Sequence, residues 1–115
     1  MTQSEFQLRI QRGESFLVAD DGQFLGQLTS NRFQNESVMN EYGRYGSKFS
    51  STSIFNQYGI YGSQYSMHSP FNQYSTTPPR IFLRGMLVGY LTANKYVQSR
   101  VDPHQLYDWM RQNGL

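Results

Sequence analysis

The sequence predicts an α+β fold: two related β-hairpins in a small antiparallel sheet, short Ser-capped helical turns from a sixteen-residue repeat, and a C-terminal α-helix. Three observations carry that prediction. The stretch 37–79 repeats with a period of sixteen, the segment before it recurs after it, and the last residues read as a capped amphipathic helix.

The hairpins come from the second of these. "LGQLTSNRF" (25–33) matches "VGYLTANKY" (88–96) nearly position for position, and each copy follows an apolar triplet and a Gly turn, "FLV-ADDGQ-F" and "IFL-RGM-L". Period-two alternation around a Gly-containing turn is the mark of a hairpin. The expected hairpins span 16–33 and 81–96. Leu28 and Leu91 should both face the core, with Gly26 and Gly89 at equivalent backbone positions. At the N-terminus "FQLRI" (6–10) alternates Phe6, Leu8 and Ile10 and reads as an added edge strand.

Between the hairpins, Ser37, Ser53 and Ser69 align, as do Asn40, Asn56 and Asn72, and Tyr42, Tyr58 and Tyr74. Tyr45-Gly46-Ser47 recurs as Tyr61-Gly62-Ser63. Repetition at fixed period points to a recurring structural unit. Serine opens each copy as an N-cap would, Pro70 follows Ser69 at a first helical position, and Gly43 and Gly59 arrive where a C-cap is wanted. Each opening therefore reads as a one-turn helix whose apolar residues bury against the sheet. Tyr58 and Phe55, with Tyr42, Met39, Tyr74 and Phe71, are expected to be the buried set. A single helical turn is unstable alone, so the repeats should drape over the sheet rather than stand apart.

"VDPHQLYDWMRQNGL" closes the chain with Asp102 as N-cap, Pro103 at the first helical position and Gln105 at the third. Val101 and Leu106 are spaced as a hydrophobic staple, Leu106, Trp109 and Met110 share a face, and Gly114 ends the helix. The helix, expected over 102–113, should pack Trp109 onto the sheet.

At 115 residues the chain is the size of one domain, 1–115, with a modest core. It has no cysteine, which excludes disulfides and thiolate chemistry. The net charge of +2 is small and the stretch 37–79 holds only Glu41, Arg44 and Lys48. Six of the nine tyrosines lie in that stretch, and a disordered tract would lack such aromatics. No secretory signal and no apolar run of membrane-spanning length is visible, so the expected location is cytoplasmic.

The string "SxxNxYGxYGSxYSxxS", flanked by "DGQFLGQLTSN" and "GYLTAN", resembles a group of uncharacterised bacterial proteins. These carry tandem Asn-x-Tyr-Gly-x-Tyr-Gly-Ser units between "DGxxLGxL" and "GYLTxN" segments, and some of them have signal peptides. The resemblance covers residues 16–96. It implies the same architecture and brings no activity or site residues with it.

Catalytic and metal signatures are weak. Asp20-Asp21-Gly22 lacks the alternating ligands of a calcium loop and reads as a turn. His68 and His104 have no partner at ligand spacing, and no nucleophile elbow accompanies the serines. No cofactor or metal is expected, and the chain reads as non-enzymatic. Single-stranded nucleic acid would suit the tyrosines, but the repeats are too charge-poor to neutralise many phosphates. A Tyr/Ser/Asn/Gly-rich surface is suited to adaptable recognition. The favoured role is an interaction or scaffold module that binds a protein partner or itself, with carbohydrate or small-ligand binding as the alternative. A pocket lined by Tyr rings would favour the ligand; a flat apolar patch would favour the protein. The slots that vary between copies mark the candidate surface: Arg44, Tyr45, Lys48, Ile60, Tyr61 and Gln64. An exposed Ile60 between two tyrosines would call for cover, which a homo-oligomer could supply.

Overall fold

The two apolar triplets singled out above lie side by side at the centre of the sheet. The computed structural model describes residues 1–115. Their order is α1 (Gln3–Gln11), β1 (Phe16–Val18), β2 (Phe24–Gln27), β3 (Arg80–Leu83), β4 (Met86–Leu91), β5 (Arg100–Val101), a 3₁₀ turn at Pro103–Gln105 and α2 (Leu106–Gln112). The five strands form one sheet in the order β2-β1-β3-β4-β5.

The duplication in sequence is a pseudo-two-fold axis in space. β1 and β3 are antiparallel neighbours, centred on Leu17 opposite Ile81. Within the hairpins Leu17 pairs with Gly26 and Ile81 with Gly89, and the register shifts immediately afterwards in both. The symmetry extends one segment further on each side. The Gln27 N–H donates to the Glu36 carbonyl (2.7 Å) and the Tyr90 N–H to the Ser99 carbonyl (3.0 Å). Thus Ser37 bridges β2 in parallel fashion just as Arg100 and Val101 add parallel to β4. That last pairing makes the sheet mixed rather than wholly antiparallel. Leu28 and Leu91 are both buried, as the alignment requires. Gly26 and Gly89 share a register position but not a conformation, since Gly26 alone has φ of +121°. What they share is crowding: a Cβ on Gly26 would press on Val38, and one on Gly89 on the Ser99 carbonyl.

Both faces of β1 are covered, which is why it is a continuous apolar run, whereas Met86, Leu87 and Val88 at the start of β4 are exposed. One face of the sheet gathers Leu17, Leu25, Leu28, Ile81 and Leu91 with Val38, Ile54 and Tyr61 of the repeats and Leu106 and Met110 of α2. The other gathers Phe16, Val18, Phe24 and Phe82 with Tyr45, under Phe6 and Ile10 of α1. Phe16 and Phe82 stack at 5.0 Å, and Phe6 sits edge-on to Phe82 at 5.3 Å.

α1 corrects the expectation of an edge strand over 6–10. Thr2 caps the helix by accepting from the Glu5 N–H at 3.1 Å, and Phe6 and Ile10 fall on one helical face. The alternation of Phe6, Leu8 and Ile10 misled because Leu8 belongs to the other face, 47% exposed. Arg9 lies 3.8 Å over the Phe24 ring and bonds both Glu14 and Glu36.

At the C-terminus Asp102 caps as expected, accepting from the His104 N–H, and Leu106 and Met110 are the buried contacts of α2. Trp109 is half-buried against the same cluster, and Gly114, at φ +75°, follows the helix end. No helix is long and apolar enough to cross a membrane.

Candidate functional site: a repeated aromatic groove

Residues 37–79 contain no helix; they form a chain of tight turns sharing their corner residues. The N–H of Asn40 donates to the carbonyl of Ser37, that of Gly43 to Asn40, and so on at three-residue steps. One step in each unit is longer, Ser47 to Gly43 and Ser63 to Gly59. Four three-residue turns and one four-residue turn make sixteen residues, which is the physical origin of the period.

Every Ser or Asn corner does the same work, while Gly43 and Gly59 hold the remaining corner of their units with backbone alone. The Ser or Asn side-chain oxygen accepts the N–H two residues on, at 3.0 Å for Ser37 to Met39 and Asn40 to Tyr42, and at 3.1 Å for Ser53 to Phe55 and Asn56 to Tyr58. Each repeat Asn also donates Nδ2 to a carbonyl six residues earlier, Asn56 to Ser50 and Asn72 to Ser66. The long step needs Gly46 and Gly62, because a Cβ there would strike the carbonyls of Asn40 and Asn56.

Position in the turn then dictates burial. The residue after the unit's first Ser enters the core (Val38, Ile54, Pro70), and the next, Met39, Phe55 or Phe71, is half-buried. Tyr42, Tyr58 and Tyr74 occupy outward turn tips and are 97%, 89% and 76% exposed, correcting the expectation that they are core. Phe49 and Tyr65 do the same from Ser47 and Ser63. The hairpin ends contribute equivalent tips, Phe33 from Asn31 and Tyr96 from Asn94. Asn94 also donates to the Ser75 carbonyl at 2.9 Å, tying "LTANKY" to the last repeat turn. The shared "LTxN" of the hairpins is therefore a turn corner at each end of the repeat.

The exposed rings flank hollows with half-buried floors. The first, about 380 Å³, has Met39 and Phe55 below and Tyr42, Lys48 and Phe49 beside them. The second, about 680 Å³, has Phe55 and Phe71 below and Tyr58, Gln64 and Tyr65 beside them. Every residue lining the first recurs sixteen positions on in the second. Two further hollows, around Phe49–Tyr58 and Tyr65–Tyr74, obey the same shift and share residues with their neighbours, so the four run into one groove.

The sequence-marked surface residues divide. Lys48 and Gln64 line the groove. Arg44 and Ile60 are exposed but line none of these hollows. Tyr45 and Tyr61 are corrected: they are 8% and 7% exposed and anchor the long turns to the sheet. Tyr45 meets Phe24 edge-on at 5.0 Å, with Arg44 5.7 Å over its outer face. Tyr61 donates its hydroxyl to Asp21 at 2.7 Å, and His68 pairs with Asp20 at 2.6 Å. Asp20-Asp21-Gly22 is thus a turn, with Asp21 also accepting the Gln23 N–H. Burial and the Asp21 bond push the Tyr61 hydroxyl up to about 12. Burial works to raise Asp21, but the bonds from Tyr61 and the Gln23 N–H outweigh it and hold the carboxyl below its usual range. Ile60 is 56% exposed as expected, but with Tyr61 buried it stands beside one exposed ring, Tyr58, rather than between two.

Hydropathy does not reveal the groove rings: it marks Tyr42, Tyr58 and Tyr74 for burial and does not single out Phe49 or Tyr65. Each ring stands two residues after an Asn or Ser corner, but so do the half-buried Met39, Phe55 and Phe71, so that spacing does not by itself mark a ring as exposed. Compared with protein-family models, curated proteins and solved structures, the chain matches none of them.

Proposed function

We propose that the protein is a non-enzymatic binding module that holds its ligand in the aromatic groove over residues 38–74. Of the two roles left open by the sequence, ligand binding now leads over recognition through a flat protein-facing patch. The observation that carries this is the hollow walled by Tyr42 and Phe49 and repeated at Tyr58 and Tyr65. Its volume falls in the range of small-ligand sites, and its lining of rings with a few amides is their usual composition. The walls are preorganised, since each ring's backbone N–H is already bonded to its corner side chain, which reduces the ordering cost of binding. The polar groups among the rings are amides, hydroxyls, Glu41, Lys48 and His104, which suit holding a ligand.

A fragment screen by NMR tests the reading. Hits should shift amides of residues 39–74 and lose their effect when Tyr58 and Tyr65 are both changed to Ala. Hits that cluster on α1 or β4 and ignore those substitutions would sink it.

A further inference from the structure

Resting on that reading, we infer that the groove takes a neutral, linear polysaccharide, bound by two equivalent subsites sixteen residues apart. The first argument is the repetition itself. The hollows under Tyr42 and Tyr58 share eight lining positions shifted by one unit, the second adding Ser63 and His104, and they are joined through Phe55, which floors both. A ligand that uses both must offer the same chemistry twice along its length, as a polymer of one repeating unit does.

The second argument is charge. What changes between the copies is charge, Glu41 to Gln57 and Lys48 to Gln64; what persists is the pair of rings. The first subsite holds one charge of each sign. The second holds only His104, whose imidazole is paired with Asp102 at 3.0 Å. A polymer with a phosphate or carboxylate on every unit would meet Lys48 at the first subsite and neither Lys nor Arg at the second. A neutral chain meets both equally.

The third argument is the form of the tips. Gln57-Tyr58, Gln64-Tyr65 and Gln73-Tyr74 set an exposed amide beside an exposed ring at three successive places. The ring offers a flat apolar face to the C–H face of a pyranose. Each Gln amide has both a donor and an acceptor for the hydroxyls at its edge. The molecule's extents of 33 × 30 × 29 Å limit the groove to a short run of sugar units.

The test is calorimetry with four neutral hexasaccharides (cellohexaose, laminarihexaose, maltohexaose and N-acetylated chitohexaose) and their disaccharides, with a hyaluronan hexasaccharide and oligo(dT) as charged probes. At least one neutral hexasaccharide should bind about tenfold or more tighter than its disaccharide, as engagement of two linked subsites requires. Its affinity should not fall with added salt. Tyr58→Ala with Tyr65→Ala should weaken it about tenfold or more while the melting temperature stays put, since both side chains are exposed. Failure of all four hexasaccharides overturns the inference, as does equal affinity for dimer and hexamer, or tighter, salt-sensitive binding of a charged probe. Fragments that still fill the groove would in that case leave the broader reading standing; fragments that avoid it would remove both.

Discussion

Tyr45 and Tyr61 occupy the same slot of the repeat and yet face different chemistry. One packs its ring on Phe24, while the other spends its hydroxyl on Asp21, forty residues away in sequence. Tyr61 holds its proton more tightly folded than unfolded. Its contribution is complete below pH 10 and is lost as pH rises towards about 12. Asp21 has the opposite sign: its folded pKa lies below the ordinary 3.8, so its contribution exists above that pH and is lost as pH falls through it. Tyr61→Phe should therefore cost about 1 kcal/mol at neutral pH, modest because Asp21 is exposed. The difference from wild type should shrink above pH 10 and again below pH 4. In an absorbance titration one tyrosine should ionise late, near 12, and Tyr61→Phe should remove that late step.

At the scale of the element, the turn corner matters more than the large ring it presents. Asn56 bonds the Tyr58 N–H and the Ser50 carbonyl, whereas the Tyr58 ring is 89% exposed. Asn56→Ala should destabilise by about 1–2 kcal/mol, as removal of a cap does, while Tyr58→Ala should stay within about 0.5 kcal/mol. Chemical denaturation of the two variants separates them, and the reverse order would mean that the rings are core after all. α2 shows the same inversion. Met110 is 1% exposed and Trp109 only half-buried, so Met110→Ala should cost about 2–5 kcal/mol and Trp109→Ala less. Thermal melts of the two decide it.

Taken together, the repeat is not a loop hung between two hairpins but the cover of the sheet face around Leu17 and Ile81, with Tyr45 reaching the opposite face. Val38 and Ile54 enter the same cluster as Leu17 and Ile81, and Pro70 accepts the Ala93 N–H at 2.8 Å. A stretch with little regular secondary structure should thus unfold together with the sheet. Hydrogen exchange should show the amides of Ser53, Asn56, Ser69 and Asn72 nearly as protected as those of β1 and β3. Exchange at the free-peptide rate over 37–79 would mean that the turns do not hold in solution.

Whatever depends on short-range covalent spacing is legible in the residues alone. The period of sixteen follows from corner residues at three- and four-residue steps, the hairpins from Gly turns between apolar triplets, and the end of the chain from Asp102-Pro103 and Gly114. The α1 cap is written in Thr2 and Glu5, while the alternation of Phe6, Leu8 and Ile10 points to a strand. Only the tertiary structure decided which tyrosines point outward. Every repeat aromatic satisfies the same hydrophobic criterion, and a ring is buried only where its turn meets a partner. Tyr45 and Tyr61 find Phe24 and Asp21 on the first hairpin, distant in sequence, while the rings at the turn tips have solvent on the far side. The groove likewise exists only once consecutive units lie against one sheet, because each hollow borrows its floor from the unit that follows.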